Sequence, residues 1–269
     1  MKKFINRILG LFGYQIQKKI RSQTRKDLFK YVIPDLNLRE YFDKTEGMIS
    51  FEEVTLLYEL AKHATGDCIV EIGSYRGRSA VALGRGSLDG NKVPVYAIEP
   101  HEEFTGILGG KFGPEDRGAF YKAMLDTSCY NIVRLINLSS EIVAPNWNKK
   151  VGLLWIDGDH TYEGVKRDFQ CWSPHLTSSA LIAFDDSTNP DLGPRQLINE
   201  LLKKNQFEEI QGIGEMSVIR RKSQNLECLP AKELRNPVLK IYTENAVQPG
   251  FLRVENHFPA KNRITISNF

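Results

Sequence analysis

The chain has 269 residues, of which 41% are hydrophobic and 26% charged, an ordinary balance for a globular protein with one large α/β domain and appendages. Its formal net charge is +3, but residues 1–30 carry an excess of eight positive charges, and the remainder has a net charge of −5. This distribution argues against a general nucleic-acid-binding surface. The four cysteines are widely spaced and form no C-x-x-C pair, which argues against a zinc knuckle or a disulfide framework and favours a reducing compartment.

The sequence also bears on cellular location. No stretch approaches the apolar length that a membrane-spanning helix needs. The N-terminal residues lack the continuous apolar region and small-residue cleavage site of a signal peptide. We therefore expect a cytoplasmic protein, with peripheral membrane association as the one open addition.

Residues 1–49 are predicted to form an N-terminal arm. Its first part has a basic amphipathic pattern, with one apolar helical stripe formed by Phe4, Ile8, Leu11, Phe12, Ile16 and Ile20. Such a helix can lie on an anionic membrane, which predicts peripheral contact through residues 1–20. The alternative is an arm that packs on its own domain or on a second subunit of a homo-oligomer. The stretch from Pro34 to Thr45 has no clear periodicity and is expected to be irregular.

The stretch Cys68–Ser79, CIVEIGSYRGRS, is the most informative part of the chain. Ile69, Val70 and Ile72 predict a buried strand, and Gly77 precedes a helix-like run. A strand that leads through glycines into a helix N-terminus is typical of nucleotide-type sites, because backbone amides there approach the ligand closely. Upstream, Ser50 and Glu53 form the S-x-x-E capping box of a preceding helix.

A second strand is predicted at Val93–Pro100, and Glu99 lies at its end. A carboxylate in this position can accept hydrogen bonds from both ribose hydroxyls of a nucleoside. The alternative is a solvated acid at a strand end. Residues 101–118 hold five glycines and predict a mobile loop over the ligand. A helix at Ala119–Thr127 and a third strand at Ile132–Ser140 follow.

Two further strands end in acidic residues. The segments Val151–Pro174 and Ser179–Ser187 predict a strand, an acidic turn, a helix and another strand. Because parallel strands bring their carboxyl ends to one edge of a sheet, five polar residues should converge there: Asp157, Asp159, His160, Asp185 and Asp186. Clustered carboxylates repel unless a cation neutralises them, and oxygen ligands favour Mg²⁺ or a similar ion. The alternative is that some of these acids cap helices.

The remaining elements close the domain. A helix is predicted at Gly193–Asn205 and an antiparallel hairpin at Phe207–Lys222. Residues 223–269 are less regular and are interpreted as a C-terminal extension. The predicted organisation is therefore an arm over 1–49, a domain over 50–222 and an extension over 223–269.

The motifs VEIGSYRGRSA, YAIEP, LLWIDGDHTYEGVKRDF and LIAFDDS resemble those of class I S-adenosylmethionine (SAM) methyltransferases. More narrowly, the chain resembles the methyltransferase domain 24 group, which includes relatives of macrolide-sugar and cephalosporin-pathway O-methyltransferases. The resemblance covers about residues 50–222. It implies an α/β fold: a Rossmann-like seven-stranded sheet with helices on both faces.

The resemblance also implies a function and a site. It implies SAM-dependent O-methylation of a hydroxyl on a small molecule or sugar, assisted by Mg²⁺ or another divalent cation. The implied SAM-binding residues are Glu71, Gly73, Ser74, Gly77, Glu99, Ser139, Ser140 and Asp157. The implied metal ligands are Asp157, Asp185 and Asp186, with His160 as the catalytic base. The chain departs from the family pattern at Tyr75, which replaces the middle glycine of the turn, and at Asp185, where many members carry histidine.

Two other functions remain open from the residues alone. Asp157-Gly158-Asp159 is formally a D-x-D sequence, which in a glycosyltransferase holds a metal–nucleotide diphosphate. That interpretation leaves the glycine turn and Glu99 unexplained. A membrane-associated, non-catalytic scaffold with the same fold is the second alternative. The acidic cluster argues against it, because uncompensated acids are costly in an inert core.

Overall fold

The computed structural model describes residues 36–222. The predicted amphipathic arm over residues 1–20 and the extension over 223–269 lie outside the described residues. Within the described part, no helix has the length and apolar character that crossing a membrane requires.

Residues 36–222 contain seven α-helices and nine strands. In chain order they are α1 Leu36–Lys44, α2 Phe51–Lys62, β1 Cys68–Ile72, α3 Arg78–Asp89, β2 Val95–Ile98, β3 Phe104–Thr105, β4 Lys111–Phe112, α4 Asp116–Asp126, β5 Val133–Ile136, α5 Ser140–Val143, β6 Val151–Ile156, α6 Tyr162–Trp172, β7 Leu176–Phe184, α7 Gly193–Lys203, β8 Phe207–Ile213 and β9 Met216–Arg221.

One sheet of seven strands organises the domain, in the order β5-β2-β1-β6-β7-β9-β8. The first five strands in this order are parallel, and β9 runs antiparallel to both β7 and β8. The predicted Rossmann-like, seven-stranded sheet and its closing hairpin are confirmed. Strands β3 and β4 form a separate two-stranded hairpin.

The sheet is buried on both faces because alternate residues of its strands enter different cores. On β1, Ile69 belongs to the core that α2, α3 and α4 cover, whereas Val70 belongs to the core that α6 and α7 cover. Side chains of a strand alternate between faces, so a strand covered on both sides must be apolar throughout. This explains the continuous apolar runs that made these strands recognisable in the sequence.

The expectation of irregular structure between Pro34 and Thr45 is wrong, because α1 spans Leu36–Lys44. The helix is stabilised by tertiary contacts instead of a strong helical pattern. Phe42 packs edge-on against Phe51 at a ring-centroid distance of 5.3 Å, and Leu38 is buried. The Arg78 guanidinium lies over the Phe42 ring at 4.3 Å.

Several predicted boundaries differ from the structure near the proposed loop. The loop over residues 101–118 contains the β3–β4 hairpin, and α4 begins inside it at Asp116 instead of at Ala119. The third predicted strand is β5, which ends at Ile136, whereas Ser139 and Ser140 lie at the start of α5. Short-range sequence signals place element ends poorly, because fraying and tertiary contacts move them by several residues.

The register of the parallel strands brings their ends to one line. Ile72 of β1 pairs with Ile98 of β2 and with Ile156 of β6, and Ile156 pairs with Phe184 of β7. The residues that follow these four strand ends are Gly73, Glu99, Asp157 and Asp185. Backbone hydrogen bonds extend the ladder to them: Gly73 N donates to Ile98 O, Asp157 N to Ile72 O and Asp185 N to Ile156 O. We call these four residues the strand-end row.

The contact between α2 and α3 generates a testable prediction. A Cβ atom at Gly86 would lie 2.1 Å from the Tyr58 carbonyl oxygen, so Gly86→Ala forces the two helices apart. We expect it to lower the free energy of unfolding by about 1–3 kcal/mol, the usual cost of overpacking. The matched control is Gly118→Ala on α4, where nothing lies within 4 Å of the new methyl group. Because alanine favours helix, this control should raise stability by about 0.5–1 kcal/mol.

Urea denaturation of the two variants, monitored by circular dichroism, measures both effects. Equal effects of the two substitutions would contradict the packing argument.

Candidate functional site

A cavity of about 650 Å³ opens over the strand-end row. Its wall includes all four residues of the row. A cavity of this size falls within the usual range for small-molecule sites, and the edge where parallel strands end is where α/β sheets bind ligands. The site is thus a consequence of strand register.

The turn after β1 depends on two glycines. Gly73 has φ 79°, and a Cβ atom there would lie 2.0 Å from the Asp157 carbonyl oxygen. Gly77 has φ 95° and is the N-cap of α3. The backbone of the turn therefore lies directly against β6, which leaves room for a ligand above it. Gly73 and Ser74 line the cavity, whereas Gly77 lies behind it, against Phe120.

Glu71 supports the turn from below and does not line the cavity. Its side chain is fully buried, and the Ser74 hydroxyl donates to its carboxylate at 2.8 Å. Burial raises the pKa of Glu71 to about 8, although hydrogen bonds from Ser79 and Ser74 oppose this shift. Glu71, which was predicted to bind SAM directly, thus supports the turn that is expected to bind SAM.

Glu99 connects the turn to the end of β2. Its carboxylate accepts hydrogen bonds from the backbone amides of Ser74, Tyr75 and His101 at 2.8–3.2 Å. Each carboxylate oxygen can accept more than one hydrogen bond, so this side chain can still accept from a ligand hydroxyl. Its position in the cavity wall fits the predicted ribose contact.

A buried acid on α6, Asp168, was missed in the sequence. It lines the cavity together with Ser139 and Ser140. Burial raises the pKa of Asp168 to about 6, although Ser140 opposes the shift through a hydrogen bond. The Ser140 hydroxyl also accepts from Trp172 Nε1 at 3.2 Å. The available signal was the position of an acid on the buried stripe of α6, between Val165 and Trp172.

His160 lies between two carboxylates of the predicted metal cluster. Its Nδ1 is 2.7 Å from Asp186 Oδ2, and its Nε2 is 3.3 Å from Asp157 Oδ1. Burial lowers the pKa of the imidazole, but its hydrogen bonds and charge interactions with Asp157 and Asp186 outweigh burial and raise the pKa above its usual range. These contacts favour the protonated imidazole, which compensates part of the acidic charge.

Asp157, His160 and Asp185 each offer one candidate ligand atom, and these three atoms lie within 4.8 Å of each other. Burial raises the pKa of Asp185, and the neighbouring Asp157 raises it further. Asp186 faces the other side of His160 and has φ 46°. All three acids of the predicted ligand set line the cavity, but the group whose ligand atoms lie within 4.8 Å of one another contains His160 in place of Asp186.

This corner has an excess of negative charge. Glu215 and Glu53 also line the cavity near the cluster, and the Glu215 amide donates to Glu53 at 2.7 Å. Proximity to Asp186 raises the pKa of Glu215. One imidazolium cannot compensate all these carboxylates, so the donor set and its charge fit a divalent cation.

The loop over the cavity is attached to the glycine turn. Arg76 donates to Asp116 at 2.7 Å, and Asp116 in turn accepts from the Gly113 amide at 2.9 Å. The rings of Tyr75 and Phe112 pack edge-to-face with centroids 5.2 Å apart. The loop and the turn therefore form one wall of the cavity.

Comparison with known proteins identifies the fold. Residues 70–187 match a family model described as "Methyltransferase domain". SAH-bound methyltransferase PaMTH1 of Podospora anserina is 19% identical, with a TM-score of 0.53 over 71% of this chain and 89% of that one. O-methyltransferase TomG of Streptomyces achromogenes, in complex with SAM, is 16% identical, with a TM-score of 0.53 over 72% of this chain and 92% of that one. The SAH-complexed O-methyltransferase of Bacillus cereus is 16% identical, with a TM-score of 0.53 over 71% and 94%.

These findings confirm the resemblance found in the sequence. The matched segment is a class I, SAM-dependent methyltransferase domain. Within that class, residues 70–187 are similar to the methyltransferase domain 24 group. The structural matches have low sequence identity and establish the fold; the chemistry of this chain follows from its own residues.

The buried Glu71 predicts a pH dependence of stability. The unfolded chain releases this proton near the ordinary value of 4.5, whereas the folded protein retains it up to about pH 8. Between these values the unfolded state binds fewer protons, so the free energy of unfolding should fall as pH rises, by up to about 1.4 kcal/mol per pH unit. Glu71→Gln removes this titration and should be more stable than the wild type at neutral pH.

Urea denaturation at about pH 5.5 and about pH 7.5 tests the sign. The control is Glu103→Gln, which changes an exposed glutamate. A Glu71→Gln variant with the same pH dependence as the wild type would disprove the assignment.

Proposed function

We propose that this protein transfers the methyl group of SAM to a hydroxyl oxygen of a small-molecule or sugar acceptor, with assistance from a divalent cation. The observation that carries the proposal is the strand-end row. It brings the glycine turn and Glu99 into the same cavity as Asp157, His160 and Asp185.

The turn and Glu99 form the SAM-binding part of the cavity. Gly73 leaves space for the ligand, Ser74 presents the backbone of the turn, and Glu99 accepts from the ribose hydroxyls. Ser139, Ser140 and Asp168 contribute polar groups for the nucleoside. SAM, when bound, supplies an electrophilic methyl group on its sulfonium ion.

The acidic corner prepares the acceptor. The hydroxyl oxygen must lose its proton as its bond to the methyl carbon forms and the carbon–sulfur bond breaks, which yields a methyl ether, S-adenosylhomocysteine (SAH) and a proton. A divalent cation held by Asp157 and Asp185 would lower the pKa of a hydroxyl bound to it. His160 is the proposed proton acceptor. For that role it must be neutral, and a cation at the adjacent carboxylates opposes its protonation.

Two alternative functions fit the structure less well. In the glycosyltransferase interpretation, Asp157 and Asp159 would hold one metal ion together. However, Asp159 accepts from the Thr161 amide at 3.0 Å, next to the start of α6, and does not belong to the compact ligand set. A non-catalytic scaffold would leave the buried acids without a purpose that offsets their cost. Binding of a nucleotide sugar instead of SAM, or of neither, would support these alternatives.

Binding of SAH tests the first half of the proposal. Calorimetry should detect SAH binding to the wild type, and Glu99→Ala should weaken it about ten- to a hundredfold, because hydrogen bonds to a charged group are lost. Glu99 also holds the turn, so affinity for SAH alone does not separate these roles.

The 2′-deoxy and 3′-deoxy analogues of SAH provide the control. If Glu99 contacts the ribose, these analogues should bind the wild type less tightly than SAH does, and Glu99→Ala should reduce that difference. An unchanged difference would restrict Glu99 to support of the turn.

Metal binding tests the second half. Asp185→Asn should lose Mn²⁺ or Mg²⁺ binding in calorimetry and lose methyl transfer, measured as SAH release with a panel of hydroxyl acceptors. His160→Gln should lower the rate about 10²–10⁴-fold, the usual contribution of general-base catalysis, with metal still bound. SAH affinity should persist in both variants.

The control variant is Asp191→Asn, which changes an exposed acid in the loop before α7. Full methyl transfer in excess EDTA would overturn the metal assignment and leave the carboxylates a role in orienting the acceptor.

A further inference from the structure

Four apolar side chains line the mouth of the cavity although they are strongly exposed. They are Met48, Phe104, Ile107 and Leu108, and we call them the apolar rim. Met48 is 71% exposed and Leu108 is 66% exposed. Apolar side chains that cluster at the opening of a ligand cavity commonly mark a binding surface.

The hairpin tip holds two of these side chains in a defined position. Gly109 N donates to Gly106 O at 2.8 Å, which closes a β-turn with Ile107 and Leu108 at its two central positions. A second bond, from Gly106 N to Gly110 O at 2.9 Å, closes the base of the tip. Central turn positions usually carry residues such as Pro, Gly, Asn and Asp, so folding of the turn does not account for two large apolar residues there.

The cavity lining combines two kinds of surface. The strand-end row and its neighbours present carboxylates, serines and an imidazole, whereas the rim presents aliphatic and aromatic carbon. The ribose and other polar groups of SAM have counterparts at Glu99, Ser139 and Ser140. A small, fully polar acceptor has no apolar group that could contact the rim.

We infer that the acceptor is an amphiphile, whose hydroxyl enters the acidic end of the cavity while its apolar body lies against the rim. This inference rests on the proposed function, because only a methyltransferase has a methyl acceptor. The binding preference itself is independent of methyl transfer. We expect a single amphiphile molecule in the cavity instead of a membrane surface. The reason is that the four side chains of the apolar rim line the cavity wall and are not directed only outward.

Straight-chain alcohols from hexanol to decanol contain a hydroxyl group and an apolar chain, which are the two features that the inference requires. Calorimetry on the SAH-saturated full-length protein should show affinity that rises with each added methylene, by up to about fourfold, which is the transfer free energy of ~0.8 kcal/mol per buried CH₂ converted to a ratio. The double variant Ile107→Ser, Leu108→Ser should flatten this increase. Leu125→Ser is the matched control, because Leu125 is 64% exposed on α4 and does not line the cavity.

Three results would overturn the inference. They are absence of decanol binding up to its solubility limit, affinity independent of chain length, and an unchanged chain-length dependence in the double variant. A fourth concerns the source of the apolar group: if phosphatidylcholine vesicles sediment with the wild type but not with the double variant, the rim is a membrane contact and not an acceptor site.

The same samples separate this inference from the proposed function. SAH titration of the wild type reports on SAM binding alone, and alcohol titration without SAH reports on the rim alone. If the wild type does not bind SAH but still binds longer alcohols more tightly than shorter ones, only the methyltransferase proposal is refuted.

Discussion

The close contact between the turn after β1 and the end of β6 is the constraint on which the site depends. At Gly73 there is no space for a side chain, because a Cβ atom would overlap the Asp157 carbonyl. The same contact sets the distance between the glycine turn and the acidic corner. A change of register by one residue in β1 or β6 would turn the strand's side chains to the opposite faces and separate the two halves of the site.

The site concentrates charge at considerable energetic cost. Asp157 and Asp185 are half-buried and adjacent, and partial burial raises the pKa of both. His160 compensates part of this charge through contacts with Asp157 and Asp186. A histidine that is held as an imidazolium cannot accept a proton. A metal ion near His160 would favour its neutral form, which can act as a base. The imidazolium compensates only part of the charge of the surrounding carboxylates, so the donor set fits a further cation at Asp157 and Asp185.

Much of the fold could be predicted from the sequence because its strands are buried on both faces. Continuous apolar runs such as that of β6 have no other common explanation in an α/β protein, and the acids that end them mark the sheet edge. The helix α1 could not be predicted in the same way, since contacts of Phe42 with Phe51 and Arg78 stabilise it. Tertiary packing outweighs local propensity there.

The candidate site was predictable in its strand ends and less so elsewhere. Residues immediately after a strand, such as Glu99 and Asp157, inherit their position from the sheet. Asp168 lies on a helix, and its place in the cavity wall depends on how α6 packs against Ser140. The role of Glu71 was also beyond the motif, because the pattern does not distinguish a carboxylate that faces the ligand from one that faces the turn.

The residue that departs from the family pattern explains how the loop is attached. Tyr75 occupies the middle glycine position with φ 44°, a conformation that is unfavourable for a bulky residue. Its carbonyl contacts His101 Nε2 at 2.8 Å, and its ring packs on Phe112. Glycine at this position would relieve the backbone strain but lose the ring contact. The strain is thus offset by contacts that join the glycine turn to the loop bearing Phe104, Ile107 and Leu108. One short segment therefore supports both the proposed SAM-binding part of the cavity and the apolar rim.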